Sequence, residues 1–404
     1  MLAVIQVLVI LAVIVFLLNR KVPMGLAMLA GSAVLFFWTG PTAAKLADAA
    51  GATATAASTW EIILALYFVM CLEFQLRTGG IIDGLMATAR RLFRSERLLL
   101  VIMPSFLGFL PSLGGAIFSA PLVESAGKAY GLSADAKTTV NYWFRHVWEF
   151  SNPIFTGMLL ASQLSGFSLS ELVVSMSWIT VFSLALGWVF LIAPLRPLEG
   201  APPPTESLGG DPSARRAITL ALGPILANFV LVVFFKMSAA LSMALVVAVM
   251  AFLLRQDAAA ILATLRRALD ARMLGGILSI LFFQNILRLS GLVTDITALL
   301  NSIAIPSGAI VGVIAFVGGL LTGGSQGFVA ITFPFIALLS PGDISLVMIA
   351  FVAGEAGHML SPAHMCLLVT LDYFDADFLR SLRPVLLLET ILVTFACWVI
   401  SFWS

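Results

Sequence analysis

Six ionisable residues lie within apolar stretches of the chain, beside two polar breaks. They are Arg145, His146 and Glu149 in the first half, and Glu355, His358 and His364 in the second. An ionised group in apolar surroundings is costly unless it faces a cavity or a partner. Histidine titrates near pH 6.5, and a neighbouring carboxylate moves that value through the physiological range. Histidine and glutamate side chains grouped in this way therefore predict proton handling.

The two breaks carry matching pairs of these residues. At an offset of 209 residues His146 aligns with Glu355 and Glu149 with His358, so each half has one Glu/His pair at i, i+3. That spacing places both side chains on one face of a helix. These four residues are the predicted proton or ion coupling groups. Arg145 would be the fixed cation for a substrate carboxylate, whose two oxygens its planar fork matches.

Other interpretations of these residues remain open. Arg145 and Glu149 are spaced i, i+4 and could form a structural ion pair. Glu355, His358 and His364 could bind a metal ion in a membrane enzyme, although their spacing fits no zinc-protease helix motif. We predict no catalytic residue, no metal and no other cofactor.

Helix ends at the same breaks predict an anion site. In Asn152-Pro153 and Ser361-Pro362 a capping residue precedes proline, the preferred order at the start of a helix. Half-helices over 154–163 and 364–371 would then present free N–H groups, which favour negative charge. Two glycine-kinked hairpins contribute polar groups at matching positions. The predicted substrate-binding residues are Ser112, Gly114, Gly115, Arg145, Ser151, Asn152, Thr322, Gly323, Gly324, Ser325, Gln326, Ser361 and His364.

The composition places all of these residues in a membrane protein. Of 404 residues, 60% are hydrophobic and 11% are charged, whereas soluble proteins have about 25% charged residues. Apolar runs of about 16–20 residues recur along the chain, long enough to cross a hydrocarbon core of about 30 Å. A net charge of +1 without a basic stripe argues against a nucleic-acid partner. The expected partners are the lipid bilayer and a small organic anion.

The hairpins and crossings that position the breaks occur twice along the chain. This duplication predicts an all-α polytopic fold of two inverted repeats, with about ten transmembrane helices. Each repeat has five crossings and one re-entrant hairpin, and an odd number of crossings turns the second repeat upside down. Paired interruptions of this kind are typical of a secondary transporter's binding site. A Pro/Gly-rich cytoplasmic linker at 195–216 joins the repeats. The first repeat (1–194) has crossings 3–18, 23–39, 60–77, 137–163 (broken) and 169–193 and hairpin 98–128; the second (217–404) has crossings 217–235, 237–254, 275–290, 344–371 (broken) and 384–403 and hairpin 307–340.

Basic residues favour one orientation of this topology. With the N-terminus outside, all but four of the 22 Lys and Arg residues fall at cytoplasmic ends, as the positive-inside rule requires. Three of the exceptions, Lys45, Lys236 and Arg288, lie outside, and Arg145 lies within a crossing. Arg20 and Lys21 follow the first apolar stretch, which favours a transmembrane helix over a signal peptide. Both termini are therefore predicted outside.

The hairpins and the Ser-Asn-Pro and Ser-Pro breaks resemble those of the ion transporter superfamily, which includes gluconate, citrate and dicarboxylate carriers. Gly114-Gly115-Ala116 followed by Asn141-Tyr142-Trp143-Phe144-Arg145-His146 resembles an uncharacterised prokaryotic integral membrane branch of it. The resemblance implies a homodimer in the cytoplasmic (inner) membrane, with a scaffold domain and a transport domain that moves as an elevator. It also implies that substrate binds between the two hairpin tips and the two breaks.

The hairpin tips differ from those of the sodium-coupled dicarboxylate members, which carry Ser-Asn-Thr. Here the tips contain Ser112-Leu113-Gly114 and Gly324-Ser325-Gln326. This departure favours H⁺ over Na⁺ as the coupling ion. The sequence therefore predicts a proton-coupled secondary transporter of a small organic anion, with a carboxylate as the expected substrate. A cation/proton (Na⁺/H⁺) antiporter on the same scaffold is the alternative.

Overall fold

A computed structural model describes residues 2–81, 95–109, 115–198, 212–292, 306–339 and 342–403. In these ranges the chain forms eighteen α-helices and no β-strand. The first half contains α1 (Leu2–Asn19), α2 (Met24–Trp38), α3 (Ala43–Thr55), α4 (Ala57–Thr78), α5 (Glu96–Gly108), α6 (Gly115–Lys128), α7 (Ala134–His146), α8 (Thr156–Ser165) and α9 (Leu169–Gly187), which continues as a π-helical turn (Trp188–Ile192). The second half contains α10 (Pro212–Val233), α11 (Ala239–Leu253), α12 (Ala258–Arg267), α13 (Ala271–Leu289), α14 (Ser307–Thr322), α15 (Ser325–Leu339), α16 (Ile344–Met359), α17 (Met365–Phe374) and α18 (Phe378–Trp403).

Four helices in the described ranges are long and apolar enough to span a membrane: Ala57–Thr78, Leu169–Ile192, Ala271–Leu289 and Phe378–Phe402. Shorter apolar helices of 10–17 residues accompany them. Two predicted crossings are divided into consecutive helices, α7 with α8 and α16 with α17. The predicted all-α polytopic membrane fold is confirmed.

Helix boundaries repeat between the two halves of the chain. Helices α8 and α17 begin at Thr156 and Met365, and α9 and α18 begin at Leu169 and Phe378. Both pairs are 209 residues apart, the offset that aligns the two breaks in the sequence. The duplication thus extends to the ends of individual helices, while the opposite orientation of the halves stays a prediction.

Helix packing divides the structure into two groups. Helices α1–α4 pack with α10–α13, mainly through α2 against α13 and α4 against α11. Helices α5–α9 pack with α14–α18, mainly through α8 against α15 and α7 against α17 and α18. Lighter packing of α9 on α10, α13 on α15 and α4 on α8 joins the groups. Each group draws on both halves of the chain, and the broken helices lie in the second group.

Glycines allow α14 and α16 to approach to backbone contact. A β-carbon at Gly319 would overlap the carbonyl oxygen of Gly354, and one at Gly357 would overlap the carbonyl oxygen of Phe316. Small residues at such interfaces let two helix backbones come together. The hairpin arm α14 is therefore held directly against the helix that carries Glu355.

Some boundaries differ from the sequence prediction. Helix α10 begins at Pro212, so the last five residues of the predicted linker 195–216 are helical, while 199–211 lie outside the described residues. Helices α3 and α12 were not predicted, because 13 and 10 residues are too short for the crossing-length criterion. Both lie between predicted crossings.

Candidate functional site

The first break lies between α7 and α8. Helix α7 ends at His146, and α8 begins at Thr156 without a side-chain cap. The prediction that Asn152 caps the second half-helix is wrong. Its Oδ1 instead accepts the Ile154 N–H at 3.1 Å, because an Asn side chain can close a turn two residues ahead of itself.

The second break has the same construction. Helix α16 ends at Met359 and α17 begins at Met365, again without a side-chain cap. Ser361 Oγ accepts the Ala363 N–H at 3.1 Å, so Ser361 also closes a turn, and its predicted role as a helix cap is wrong. Asn152 and Ser361 are 209 residues apart, so the two halves share this turn.

Each break is tied to the incoming arm of the hairpin in its own half. Asn152 Nδ2 donates to the carbonyl of Phe109, the residue that follows α5, at 3.0 Å. Ser361 Oγ donates to the carbonyl of Leu320 in α14 at 2.7 Å. Both polar side chains are buried. Hairpin arm and break therefore form one packed unit in each half.

Substituting Ser361 with alanine is expected to destabilise the protein by about 1–3 kcal/mol, because both hydrogen bonds of a buried hydroxyl are lost. Thermal unfolding in detergent measures the effect. Thr390→Ala is the matched control, since Thr390 is exposed and its hydroxyl bonds only to the carbonyl of Leu386 in the same helix. Equal stability of the two variants would contradict the structural role of the Ser361 turn.

The predicted Glu/His pairs differ between the halves. Helix α7 ends at His146, so Glu149 lies in the turns beyond it and the two do not share a helix face. That part of the prediction is wrong, because the i, i+3 rule requires an uninterrupted helix. Glu355 and His358 both lie within α16, as expected.

Five of the ionisable residues nevertheless meet in one buried cluster. Ligating atoms of Glu149, Glu355 and His358 lie within 4.8 Å of one another, and so do those of His146, His358 and His364. All five side chains are buried. His358 belongs to both sets, so it connects the carboxyl groups to the imidazoles.

Tyr142, which the sequence analysis named only as part of a family motif and not as a site residue, holds two of the histidines. Its hydroxyl donates to the carbonyl of Met359 at 2.9 Å and lies 2.6 Å from His364 Nδ1. His146 Nδ1 lies 2.7 Å from the Tyr142 carbonyl oxygen, which can only accept a hydrogen bond. That bond places the His146 proton on Nδ1 and leaves Nε2 as an acceptor. A tyrosine in an apolar segment resembles a packing residue in sequence, which is why it was missed.

The imidazole rings are poorly arranged for a shared metal ion. His358 and His364 stack with ring centroids 3.8 Å apart and planes inclined by 21°. An imidazole lone pair lies in the plane of its ring, so two stacked rings direct their lone pairs side by side. A tetrahedral metal centre requires lone pairs that converge on one point. His358 and His364 are therefore poorly placed to ligate one metal ion together.

Glu389 is a further buried carboxyl residue that the sequence analysis missed. It lies in α18, its residue is 3% exposed, and its Oε2 has no hydrogen-bond partner within the described part of the chain. It lines a cavity of about 10 Å³ together with His146, Glu149 and Glu355. The available signal was a lone glutamate in a long apolar helix, because intramembrane ionisable residues are usually functional.

Arg145 lies against the incoming arm of the first hairpin. Its Nη1 donates to the carbonyl of Leu107 in α5 at 3.1 Å. Gly108 allows this approach, because a β-carbon there would overlap the Arg145 carbonyl oxygen. The tip of that hairpin, with the predicted ligands Ser112 and Gly114, lies outside the described residues. Substrate binding by Arg145 therefore stays a prediction.

The second hairpin tip meets the start of α8. Gly323 ends α14 in the left-handed conformation (φ 60°), and α15 begins at Ser325. A β-carbon at Gly157 would lie 3.0 Å from Ser325 Cβ, so the starts of α8 and α15 are adjacent. The N-terminus of the half-helix after the first break and that of the outgoing arm of the second hairpin therefore come together. The corresponding helices of the opposite halves, α17 and α6, also pack against each other. Helix α6 begins at Gly115, next to the hairpin tip that the structure does not describe.

A hydrogen bond connects this tip to the buried cluster. Ser325 Oγ at the tip donates to Glu355 Oε2 in the cluster at 3.4 Å. Two predicted ligands make other contacts. Ser151 Oγ lies 2.8 Å from Thr180 Oγ1 in α9, and Thr322 Oγ1 donates to the Gly318 carbonyl at 2.8 Å.

Two larger cavities flank the site. One of about 60 Å³ lies beside the starts of α8 and α15, and its lining includes Thr156, Gln326 and Arg272. The other, of about 330 Å³, lies between α4, α8, α9 and the start of α11, and its lining includes Glu61 and Lys236. Arg272 was expected only as a cytoplasmic basic residue, so its position beside two helix starts is a finding of the tertiary structure.

Comparison with known proteins identifies a family and a fold. The model of the family described as "Protein of unknown function (DUF401)" matches residues 1–402. Among solved structures, the Alcanivorax borkumensis YdaH transporter has a TM-score of 0.61 at 13% sequence identity, over 85% of this chain and 84% of that chain. None of the curated protein sequences matches. The resemblance to the ion transporter superfamily stays a prediction.

Proposed function

Because the chain belongs to the DUF401 family and shares its fold with a transporter, we propose that it is a proton-coupled secondary transporter of a small organic anion. The observation that carries the proposal is the hydrogen bond from Ser325 to Glu355. This hydrogen bond connects the start of α15, where free N–H groups favour an anion, with the buried carboxyl group of Glu355, which can bind a proton. A carboxylate is the expected substrate.

The anion site of the proposal is the cavity beside Thr156, Gln326 and Arg272. Each helix N-terminus acts as about half a positive charge and offers free N–H groups, so the starts of α8 and α15 attract an anion. A guanidinium fork can bind both oxygens of one carboxylate. The volume of about 60 Å³ exceeds the 10–15 Å³ or so that a water molecule requires.

The proton site of the proposal is the buried cluster. Glu149 and Glu355 lie within 4.8 Å of each other, and a proton between them would remove the repulsion of two like charges. His146, His358 and His364 lie beside these carboxyl groups and complete the cluster. Protonation of Glu355 would change its bond with Ser325, so proton and anion occupancy would be linked through the hairpin tip.

The proposal includes alternating access by an elevator movement. The separation of helix packing into two groups supports it, because the hairpins and broken helices lie in one group and Arg272 lies in the other. A homodimer, the prokaryotic inner membrane and external termini follow from the sequence-level resemblance and the distribution of basic residues. They belong to the proposal as predictions.

A cation/proton antiporter is the second candidate function. It is favoured by the unpartnered Oε1 of Glu355 and Oε2 of Glu389, two oxygens that could bind a cation within the described cluster. In an antiporter, small carboxylates would neither be accumulated nor stabilise the protein. A sodium gradient would instead drive proton movement in the absence of any organic anion.

Uptake by proteoliposomes tests the first proposal. An imposed pH gradient is expected to drive accumulation of at least one member of a panel of small radiolabelled carboxylates. Arg272→Gln is expected to raise the half-saturating concentration about 10–100-fold, because a charge-assisted hydrogen bond contributes about 1.5–3 kcal/mol. Arg266→Gln, at an exposed arginine of α12, is the matched control.

The transport proposal fails if no carboxylate moves under the pH gradient, and the proposed anion site fails if neither Arg272 nor Arg145 affects the half-saturating concentration. Arg145→Gln is therefore measured beside Arg272→Gln. Wild-type transport by both variants, at unchanged half-saturating concentration, would place the anion elsewhere.

A further inference from the structure

The cavity beside the starts of α8 and α15 has a polar mouth and an apolar interior. Gln326 and Arg272 in its lining are exposed, so they mark the side that opens to solvent. The interior is lined by apolar side chains that are at most 2% exposed: Leu66, Leu160 and Ile280. Resting on the proposed function, we infer that its anion is a short monocarboxylate with an apolar tail, and not a dicarboxylate or tricarboxylate.

Two helices carry this change from polar to apolar along the cavity. In α13 the lining residues Arg272, Gly276 and Ile280 follow at i, i+4 and i+8, a spacing that places them on one face of the helix. At a rise of about 1.5 Å per residue, Arg272 and Ile280 are about 12 Å apart along the helix axis. In α8, Thr156 lies at the start and Leu160 one turn later. Each helix thus begins with a polar lining residue and continues with a buried apolar one.

The charge of the lining favours a single carboxylate. Arg272 is the only ionisable lining residue within the described ranges. Its guanidinium makes no ion pair or hydrogen bond in that part of the chain, so the planar fork can bind both oxygens of one carboxylate. A second carboxylate at the other end of the molecule would lie among Leu66, Leu160 and Ile280, where an ionised group without a partner is very costly.

The size of the cavity limits the tail. One water-sized group needs about 10–15 Å³, so a cavity of about 60 Å³ holds about four to six such groups. The carbon and two oxygens of a carboxylate take part of this space, and the remainder admits about one to three further carbons. Acetate, propionate and butyrate have this size, whereas citrate is too large.

The cavity lies between the two groups of packed helices. Thr156, Leu160 and Gln326 belong to the group that contains the broken helices, while Leu66 and Arg272 belong to the other. A bound acid would contact both groups, with its carboxylate at the mouth and its tail in the interior. A ligand that binds only the folded protein raises the unfolding midpoint. Binding should therefore be visible in thermal unfolding.

Thermal unfolding of the purified full-length protein in detergent tests the inference. The ligands are the sodium salts of acetate, propionate, butyrate, hexanoate, succinate and citrate at equal sodium concentration. Binding is measured instead of uptake, because short neutral acids cross bilayers without a carrier. The dependence of the midpoint on ligand concentration gives an apparent dissociation constant. Propionate or butyrate is expected to bind at least about 100-fold more tightly than succinate or citrate, because only the latter would bury a second carboxylate.

Leu160→Ala tests the assignment of the tail to the interior. The shorter side chain enlarges the apolar end of the cavity, so the preferred ligand is expected to change from propionate or butyrate to hexanoate. Leu164→Ala is the matched control, because Leu164 lies in the same helix and is also buried but is not among the lining residues. It is expected to lower stability and to keep the wild-type preference.

Succinate or citrate binding as tightly as butyrate would overturn the inference and leave the proposal of anion transport in place. A folded Leu160→Ala protein with the wild-type chain-length preference would overturn it as well. If Leu160→Ala does not fold, the series of acids on the wild-type protein decides alone. Failure of every acid to bind would overturn both this inference and the proposed anion site.

Discussion

Replacing Glu355 with glutamine is expected to abolish accumulation of the anion under a pH gradient while leaving exchange of the anion intact. Glu355 lies within 4.8 Å of Glu149 and His358 and accepts a hydrogen bond from Ser325. Glutamine retains the size of the side chain and an oxygen that accepts from Ser325, but it cannot bind and release a proton. A carrier that no longer binds its coupling ion cannot use the gradient of that ion.

The measurement compares two assays in the same proteoliposomes. Under the pH gradient, Glu355→Gln should only equilibrate the anion to equal concentrations on both sides of the membrane. Exchange of labelled for unlabelled anion should continue. Glu73→Gln controls for loss of a carboxyl group in the salt bridge with Arg77. Continued accumulation against a concentration gradient by Glu355→Gln would remove this residue from the coupling mechanism.

Gly319→Ala is expected to produce the largest loss of stability among single-methyl changes in the second hairpin. A β-carbon at Gly319 would overlap the carbonyl oxygen of Gly354 and lie 2.6 Å from the backbone nitrogen of His358. Neither is a flexible side chain, so α14 and α16 must separate. Overpacking of this kind costs about 1–3 kcal/mol and occasionally more.

Gly312→Ala in the same helix is the matched control. A β-carbon there meets Ile349 and Ala353 side chains at 3.5 and 3.7 Å, which is ordinary contact. Alanine is a better helix former than glycine by about 0.5–1 kcal/mol, so the control is expected to be neutral or stabilising. Thermal unfolding in detergent distinguishes the two variants, and equal midpoints would contradict the close approach of α14 and α16.

Much of the fold could be predicted from sequence because a membrane imposes length and composition on its crossings. Runs of apolar residues placed α1, α2, α4 and α9 within a few residues of their observed limits. The pairing of Pro153 with Pro362 located both breaks. Turn geometry was predicted less well, since Asn152 and Ser361 could cap a helix or close a turn, and only the surrounding backbone selects between these.

Most ionisable residues of the candidate site could be predicted from the sequence, but their arrangement could not. Arg145, His146 and Glu355 stand out because charge is rare in apolar segments. Glu389 has the same property, but it lies far from either break in sequence. Nothing in a one-dimensional pattern relates its position in α18 to Glu149 or Glu355.

The sequence by itself determined that the chain is a helical membrane protein with two matching broken helices, because bilayer thickness and backbone hydrogen bonding restrict what can span a membrane. The tertiary structure alone decided which helix starts meet and which carboxyl groups share a cavity. Those contacts depend on packing between distant segments, such as Gly157 against Ser325 and Gly319 against Gly354. Local sequence spacing carries no information about such contacts. Packing between distant segments also places Glu389 and Arg272 beside the candidate site.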